Sequence, residues 1–350
     1  MPTWNKLLNE FGSQPDDAAR SEWLNKQTQP ALATIGRLRD EQNVILYGSA
    51  FLQKPQAPPP LISITHEDLD GLMAAVHGTN PSKGLVLVLH TPGGVTNAAE
   101  TFVAYLRSKF NHIEVVVPTL AMSAGTMISL AADSIVMGRQ SQLGPIDPQL
   151  PVGGRAISAR AVVDQFERAR QEIVGNPSKQ VAGDLLMAHV WAPVLASIGP
   201  ALLQEAQNAL DYSERMVAGW LADYMFHDDP EAGTKGQTVA RYFNDAAEHK
   251  SHGRRIDLQE VQMQGVRASA LEDEQPFQDA VLTLYHLMSI TFQHSPVTKL
   301  IESTSGGRWL KNWVTPDLMG GQPPPLSPPA RQGTNPPRAP TRQQRRHPGR

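Results

Sequence analysis

An unbroken apolar segment followed at once by a glycine turn constrains the fold of this chain most strongly. The segment GLVLVLH covers residues 84–90, and the turn TPGG covers residues 91–94. A strand without polar alternation is typical of a parallel sheet that is covered on both faces. The residues that follow predict a helix with one core-facing stripe, because apolar side chains recur there at helical spacing: Val95, Ala98, Ala99, Phe102, Val103 and Leu106.

Further strand and helix patterns alternate along the first half of the chain. Short apolar runs predict strands at residues 44–47, 113–118 and 134–137. Helices are predicted at residues 65–77, with Thr65 as the N-cap, and at residues 126–132. This alternation is typical of an α/β core with a largely parallel sheet, whose functional loops follow the carboxyl ends of the strands.

The sequence predicts three regions: residues 1–42 as an N-terminal helical segment, residues 43–318 as the main domain with a helical C-terminal part, and residues 319–350 as a tail. Residues 321–350 contain six arginines, nine prolines and no acidic residue, so the tail is predicted to be disordered. The helical part of the main domain is expected to contain long amphipathic helices and shorter helical segments, at residues 156–174, 201–225, 238–249 and 276–292.

Composition and charge narrow the class of protein. Of the 350 residues 40% are hydrophobic, enough for a substantial core, and the formal net charge of −3 does not point to nucleic acid as a partner. Cysteine is absent, which excludes disulfides and thiolate catalysis.

No apolar run approaches the roughly 18 residues of a membrane span, and residues 1–20 lack the apolar core of a signal peptide. We expect a soluble, cytoplasmic protein. The arginine-rich tail is interpreted as a solubilising end, with weak binding to an anionic membrane or nucleic acid as the alternative.

The segment AMSAGT at residues 121–126 places a serine between small residues, 29 positions after Gly94. A serine nucleophile and a separate group of backbone N–H donors for an oxyanion are two parts of an acyl-transfer site. Each part has an alternative interpretation: Ser123 as a helix N-cap, and the glycine pair as an ordinary turn between strand and helix.

Taken together, these segments resemble a known superfamily. TPGG, MSAGT and the segment AADSIVMG at residues 131–138 resemble the Clp-protease/crotonase superfamily. The segment SQLGPIDPQ at residues 141–149 narrows the resemblance to the serine dehydrogenase proteinase family, relatives of the signal peptide peptidases. The resemblance is strongest over residues 44–150 and continues more loosely, through HKSHGRRI at residues 249–256, to about residue 301.

The resemblance implies a fold and an activity. The fold is an α/β spiral of ββα units with helical extensions. The activity is that of a serine endopeptidase acting on peptide or protein substrates, with Ser123 as nucleophile, Gly94 and Ala124 as the oxyanion hole, and Gly93 shaping the loop. The resemblance also implies a homo-oligomer, and related proteins often carry a membrane anchor, so peripheral membrane association is the second localisation considered. No cofactor or metal is expected, and the sequence contains no Walker-type phosphate loop.

A base that activates Ser123 is the third part of an acyl-transfer site. Clp-type peptidases carry a histidine in a segment that here reads Ile146-Asp147-Pro148-Gln149, and no histidine lies between Ser123 and His189. A Ser-His-Asp triad of the Clp pattern is therefore not expected, and Asp147 is expected to order that loop. Signal peptide peptidases use a lysine, and Lys179 is the first lysine after Ser123. The resemblance therefore predicts a Ser123–Lys179 dyad, in which burial lowers the pKa of the lysine. The alternative is an exposed loop lysine at position 179.

Other polar residues have simpler interpretations, and two other functions use the same fold. The pair His249 and His252 is interpreted as polar loop contacts rather than a metal site, since no third ligand is evident. His90 is expected to make an ordinary polar contact, and Asp133 to end a helix. A non-catalytic binding or scaffold protein with the same fold is the alternative function. Acyl-CoA chemistry of the crotonase type is disfavoured because the serine loop lacks a glutamate.

Overall fold

A seven-stranded sheet organises the computed structural model of this protein, which describes residues 4–176, 181–197 and 201–314. Its strand order is β11-β5-β3-β2-β1-β12-β13. The five strands from β11 to β1 pair in parallel, whereas β12 pairs antiparallel with both β1 and β13. The sheet strands are β1 (Asn43–Ser49), β2 (Leu85–His90), β3 (Ile113–Val117), β5 (Ser134–Met137), β11 (Ala268–Ala270), β12 (Val297–Ser303) and β13 (Arg308–Asn312).

Three two-stranded ladders accompany the main sheet. They are formed by β4 (Leu120–Ala121) with β6 (Gln142–Leu143), β7 (Gln149–Val152) with β8 (Arg155–Ser158), and β9 (Gly175–Asn176) with β10 (Val181–Ala182). Of these three ladders, only the β4–β6 ladder is parallel. Strand β4 follows β3 in the chain, and it also forms a bridge with the residue that follows β2.

The helices vary from one turn to more than five. They are α1 (Trp4–Gly12), α2 (Asp17–Arg37), α3 (Pro59–Ile62), α4 (Asp68–Val76), α5 (Thr96–Arg107), α6 (Ala124–Leu130), α7 (Ala159–Val174), α8 (Met187–Ala196), α9 (Leu202–Trp220), α10 (Ala232–Asn244), α11 (Ala246–His249), α12 (Leu258–Met263) and α13 (Gln275–His294). Helix α9 continues into a π-helical turn at Leu221–Met225.

The two faces of the sheet bury two separate hydrophobic cores. Side chains alternate along β1, so Ile45 and Tyr47 join one core while Val44 and Leu46 join the other. The first core includes residues of α4, α5, α6 and α10, and the second includes residues of α1, α2 and α13. Burial on both faces explains why the strands read as continuous apolar runs. The predicted α/β fold of the Clp-protease/crotonase type is confirmed.

Several helix starts differ from the sequence prediction, among them those of α6 and α10, and the starts of α4 and α7 show the physical reason. Helix α4 begins at Asp68, after Glu67, and the Thr65 hydroxyl makes no capping hydrogen bond. Instead, the Thr65 N–H donates to Oδ2 of Asp68 at 2.9 Å. Helix α7 begins at Ala159 rather than at residue 156, because the preceding residues pair as β8 with β7. In both places a contact outside the helix fixes its first residue, and helical periodicity carries no information about such contacts.

The residues described up to Trp313 form one unit. In this part of the chain, no helix combines the length and the apolar character needed to cross a membrane. The predicted tail at residues 319–350 lies outside the described residues, and the division of the chain into three regions stays a prediction.

Candidate active site

Ser123 occupies a sharp turn between β4 and α6. Its backbone has φ 52° and ψ −114°, a conformation that residues with a side chain rarely adopt. Strain of this kind costs about 1–3 kcal/mol and concentrates at functional sites. A serine on a strained turn between a strand and a helix also presents its hydroxyl outward from the sheet edge, as a nucleophile requires.

The N-cap interpretation of Ser123 does not hold. The serine precedes α6, but its side chain makes no capping hydrogen bond. Its Oγ has no hydrogen-bond partner among the described residues, and the residue lines a cavity of about 550 Å³. The hydroxyl is therefore available to a substrate rather than committed to the helix.

The glycine turn packs directly against the serine loop. Gly93 has φ 99°, and a Cβ placed on it would lie 2.6 Å from the Met122 carbonyl oxygen and 2.7 Å from Cβ of Ser123. Its N–H donates to Oγ1 of Thr91 at 3.1 Å. Only glycine fits here, since both the positive φ and the close approach of the two loops exclude a side chain.

The backbone N–H groups of Gly94 and Ala124 have no acceptor among the described residues. Gly94 forms a parallel bridge with Ile64, in which Ile64 N–H donates to the Gly93 carbonyl at 2.8 Å and Val95 N–H donates to the Ile64 carbonyl at 3.0 Å. These two hydrogen bonds do not use the Gly94 N–H, which lies on the side of the backbone away from Ile64. Gly94 also lines the cavity. Ala124 is the first residue of α6, where an N–H is unsatisfied by helix geometry and the helix dipole favours negative charge.

A histidine–carboxylate pair lies in the same cavity as Ser123. Nδ1 of His252 is 2.7 Å from Oδ1 of Asp147, and both residues line the cavity. The Asp147 side chain is 1% exposed, and it also accepts from Nε2 of Gln149 at 2.8 Å. A carboxylate can only accept a hydrogen bond, so the Nδ1–H group of His252 is the donor to Asp147, and in the neutral imidazole the lone pair then lies on Nε2. No described residue hydrogen-bonds to that Nε2 atom.

One part of the cavity wall is apolar, and polar side chains line the rest. Val95, Ile146, Leu150 and Ala209 line it together with the ring of Tyr212. The Tyr212 hydroxyl donates to the carboxylate of Glu100, and burial together with this hydrogen bond raises the pKa of the tyrosine to about 12. The tyrosine therefore stays neutral at physiological pH.

The remaining candidates have structural roles or fall outside the description. Lys179 lies outside the described residues. His90 is fully buried, its Nδ1 atom pairs with Oγ1 of Thr119 at 2.8 Å, and burial lowers its pKa to about 3. Asp133 pairs with Arg107 at 2.8 Å just beyond α6. The described residues contain no cluster of three or more side chains fit to hold a metal ion.

Sequence reasoning missed the pairing of His252 with Asp147. It treated Asp147 as a loop-ordering residue and His252 as a polar contact, because the two are 105 positions apart. One signal was available: the family resemblance covered both segments that supply this pair. The pair does not match the Clp pattern, because the aspartate comes first in the chain and the histidine lies far downstream.

The fold and the site together define the class of protein: a ClpP-like α/β fold with a serine on a strained loop beside a glycine turn. Within that class, residues 59–182 match the model of the ClpP-like SDH-type serine proteinases. The resemblance to the serine dehydrogenase proteinase family is confirmed. The matched segment ends before His252, so the match does not extend to the residue that pairs with Asp147.

Similar proteins from other sources add little about activity. Two uncharacterized proteins of Methanocaldococcus jannaschii, MJ0137 and MJ1495, are 42% and 38% identical over 129 and 87 residues. These alignments cover 37% and 25% of this chain, and the chain spans 41% and 30% of the relatives' lengths. A serine-to-alanine mutant of the 1510-N membrane-bound stomatin-specific protease is 21% identical, over 33% of this chain and 62% of that chain, with a TM-score of 0.23. A TM-score this low carries no information about the fold.

Proposed function

We propose that this protein is a serine peptidase in which Ser123 is the nucleophile and His252, oriented by Asp147, is the general base. The observation that carries the proposal is the 2.7 Å contact between His252 and Asp147 inside the cavity that Ser123 lines. A serine, a histidine with a free Nε2 lone pair, a buried carboxylate and two unsatisfied N–H groups are the parts that acyl transfer needs.

The reaction starts with attack of Ser123 Oγ on the peptide carbonyl carbon, while its proton passes to Nε2 of His252. The carbonyl oxygen becomes an oxyanion, which the N–H groups of Gly94 and Ala124 stabilise; a donor of this kind is typically worth about 3–4 kcal/mol. The imidazolium gives the proton to the leaving amine as the C–N bond breaks. Water then attacks the acyl-serine, again with His252 accepting the proton, and releases a carboxylic acid and the free serine.

The cavity wall indicates which peptides fit. Because Val95, Ile146 and Leu150 form an apolar part of the cavity wall, a peptide with an apolar side chain at the scissile residue gains from burial there. The carboxylates of Asp147 and Glu100 already have partners, so neither is free to pair with a charged substrate side chain. We therefore propose apolar segments of peptides or unfolded proteins as substrates.

Lys179 stays the rival base. The Ser123–Lys179 dyad was predicted from the family resemblance, and the contact between His252 and Asp147 favours a different assignment. Single variants distinguish the two candidate bases, because only the loss of the residue that accepts the serine proton slows the chemical step. We expect His252→Gln to lower kcat/KM for a fluorogenic peptide by about 10⁴-fold or more, and Lys179→Ala to leave it within a factor of about three.

The test of the function itself is peptide hydrolysis by purified wild-type protein and the Ser123→Ala variant. We expect release of a fluorophore from an apolar peptide by the wild type and a loss of about 10⁴-fold or more in the variant. A folded wild-type protein that cleaves no apolar peptide favours the alternative of a non-catalytic binding or scaffold protein. Equal cleavage by wild type and variant would remove Ser123 from the mechanism.

The assembly of the chain and its membrane association stay predictions. The family resemblance implies a homo-oligomer, which the mass of the full chain in solution measures directly. Peripheral membrane association is measured by sedimentation with anionic and with zwitterionic lipid vesicles, and binding to the anionic vesicles alone would point to the arginines of residues 321–350.

A further inference from the structure

His252 is carried by a six-residue loop whose two ends are joined by a side-chain contact. The loop runs from His249, the last residue of α11, to Arg254, and Nδ1 of His249 lies 2.9 Å from a guanidinium nitrogen of Arg254. Between them, Lys250 adopts a left-handed conformation with φ 62°, and the Arg254 N–H donates to the Ser251 carbonyl at 3.0 Å. The loop is therefore closed at its base, and His252 lies near its apex.

The hydrogen bonds of His249 define its tautomer. Nε2 is 2.7 Å from the Tyr242 carbonyl oxygen, which can only accept, so Nε2 carries a proton. Nδ1 faces the guanidinium of Arg254, which can only donate, so Nδ1 carries none. His249 is thus neutral, and both of its ring nitrogens are occupied. The residue is 3% exposed and its ring meets that of Tyr242 edge-on, so the ring has little freedom to reorient.

Arg254 is held from its other side as well. It pairs with Oε1 of Glu260, at the start of α12, at 2.7 Å. The hydroxyl of Tyr242 donates to the same carboxylate oxygen. The guanidinium is therefore fixed between His249 and Glu260, and the closed end of the loop is tied to both α10 and α12.

The same elements are tied to the segment that carries Asp147. Leu143 and Ile256 exchange two backbone hydrogen bonds of 3.0 Å, just after the loop ends. Ile146 N–H donates to the Phe243 carbonyl at 2.9 Å, next to Tyr242. These bonds hold the loop base and the aspartate segment in register, and the residual freedom of His252 lies in the loop itself.

We propose that His249 is a positioning residue: in its neutral form it clamps Arg254 and so holds the loop with His252 against Asp147. The proposal deepens the proposed peptidase mechanism and rests on it for its effect on catalysis. His249 touches neither Ser123 nor a substrate. Loss of its two polar contacts frees the loop, so the base spends less time in the reactive geometry, and kcat falls more than KM changes.

The experiment compares two replacements of His249. Glutamine keeps both contacts, because its Nε2 can donate to the Tyr242 carbonyl and its Oε1 can accept from Arg254. Phenylalanine keeps the ring volume and removes both contacts. We expect His249→Gln to retain kcat within a factor of about three and His249→Phe to lose at least tenfold in kcat, with KM within twofold. His66→Phe, at an exposed histidine in the turn before α4, is the control for the same replacement away from the loop and keeps full kcat.

A second readout does not depend on catalysis. The Nδ1–H of His252, hydrogen-bonded to Asp147, gives a downfield proton resonance that is assigned by its loss in His252→Gln. We expect this resonance in the wild type and in His249→Gln, and its broadening or loss in His249→Phe. If His249→Phe does not fold, Arg254→Met removes the other partner of the clamp at a side chain that is 34% exposed, with the same expected results.

The outcomes separate this proposal from the proposed function. A resonance that follows the clamp in a protein without peptidase activity supports the positioning role and overturns the function. Full kcat and an unchanged resonance in His249→Phe or Arg254→Met overturn the positioning role while the peptidase stands. Absence of the resonance in the folded wild type would contradict the hydrogen bond between His252 and Asp147 and would overturn this proposal.

Discussion

Nδ1 of His252 donates to Oδ1 of Asp147 across 2.7 Å, although 105 positions separate the two residues in the chain. The aspartate is buried and the histidine reaches the cavity of Ser123. The pair therefore connects the serine-bearing half of the fold with its helical second half.

Replacing Asp147 by asparagine tests the orientation of the base. The amide keeps the size of the side chain, but its NH₂ group can turn toward Nδ1 of His252, which favours the tautomer with the proton on Nε2. That tautomer cannot accept the serine proton, so we expect kcat to fall by about 10³–10⁴-fold with little change in KM. The measurement is peptide hydrolysis, with the melting temperature as the control for folding. A variant with more than a tenth of wild-type kcat would contradict the orienting role.

Replacing Ser123 by glycine tests the strain at the nucleophile. Glycine adopts φ 52° and ψ −114° without the penalty that a side chain brings, whereas alanine keeps that penalty. We therefore expect Ser123→Gly to have a free energy of unfolding about 1 kcal/mol higher than Ser123→Ala. Urea denaturation of the two inactive variants measures the difference directly. Equal stability of the two would mean that the turn is relaxed.

Replacing Gly93 by alanine tests the close packing of the two loops. The new Cβ would meet the Met122 carbonyl and Cβ of Ser123, in addition to the cost of a positive φ. Gly154 provides the matched control, since it has φ 76° and no atom within 4 Å of an added Cβ. We expect Gly93→Ala to abolish peptide hydrolysis and to destabilise the protein by at least about 1 kcal/mol more than Gly154→Ala does. Similar losses of stability in both variants would assign the whole effect to φ.

His90 makes the stability of the fold depend on pH. Burial lowers the pKa of His90 to about 3, against 6.5 in the unfolded chain. Between these values the unfolded chain binds more protons than the folded one, so the free energy of unfolding falls as pH falls from about 6.5 toward 3. Phenylalanine preserves the ring between Phe51 and Tyr285 and removes the titration. We expect a shallower decline in His90→Phe, measured by denaturation at a series of pH values; identical slopes would exclude His90 as the cause.

Local patterns in the sequence predicted much of the fold. The apolar runs that became β1, β2, β3 and β5 needed only burial on both faces of a sheet, and the stripe along α5 needed only helical periodicity. The serine loop and the glycine turn were also recognisable, because their small residues are required by close approach of two backbones. These features are encoded within a few positions of each other.

The rest of the site depends on contacts between distant segments. Whether Ser123 caps α6 or faces a cavity is decided by the geometry of the turn and not by the residue type. The antiparallel bridge between Leu143 and Ile256, together with the loop that precedes Ile256, brings His252 to Asp147. A sequence gives no direct measure of such a long-range register, so a lysine at a familiar spacing appeared to be the better base. Lys179 lies outside the described residues, so its role as the base stays a prediction.

The most direct test of the account is the rate at which a fluorophosphonate probe labels Ser123, measured by mass spectrometry of the labelled peptide. The reaction needs an activated serine but no peptide substrate, so it reports the base alone. We expect labelling of Ser123 in the wild type and in Lys179→Ala at similar rates, and a loss of about 10³-fold or more in His252→Gln. Rapid labelling of His252→Gln together with no labelling of Lys179→Ala would contradict the account and restore the lysine as the base.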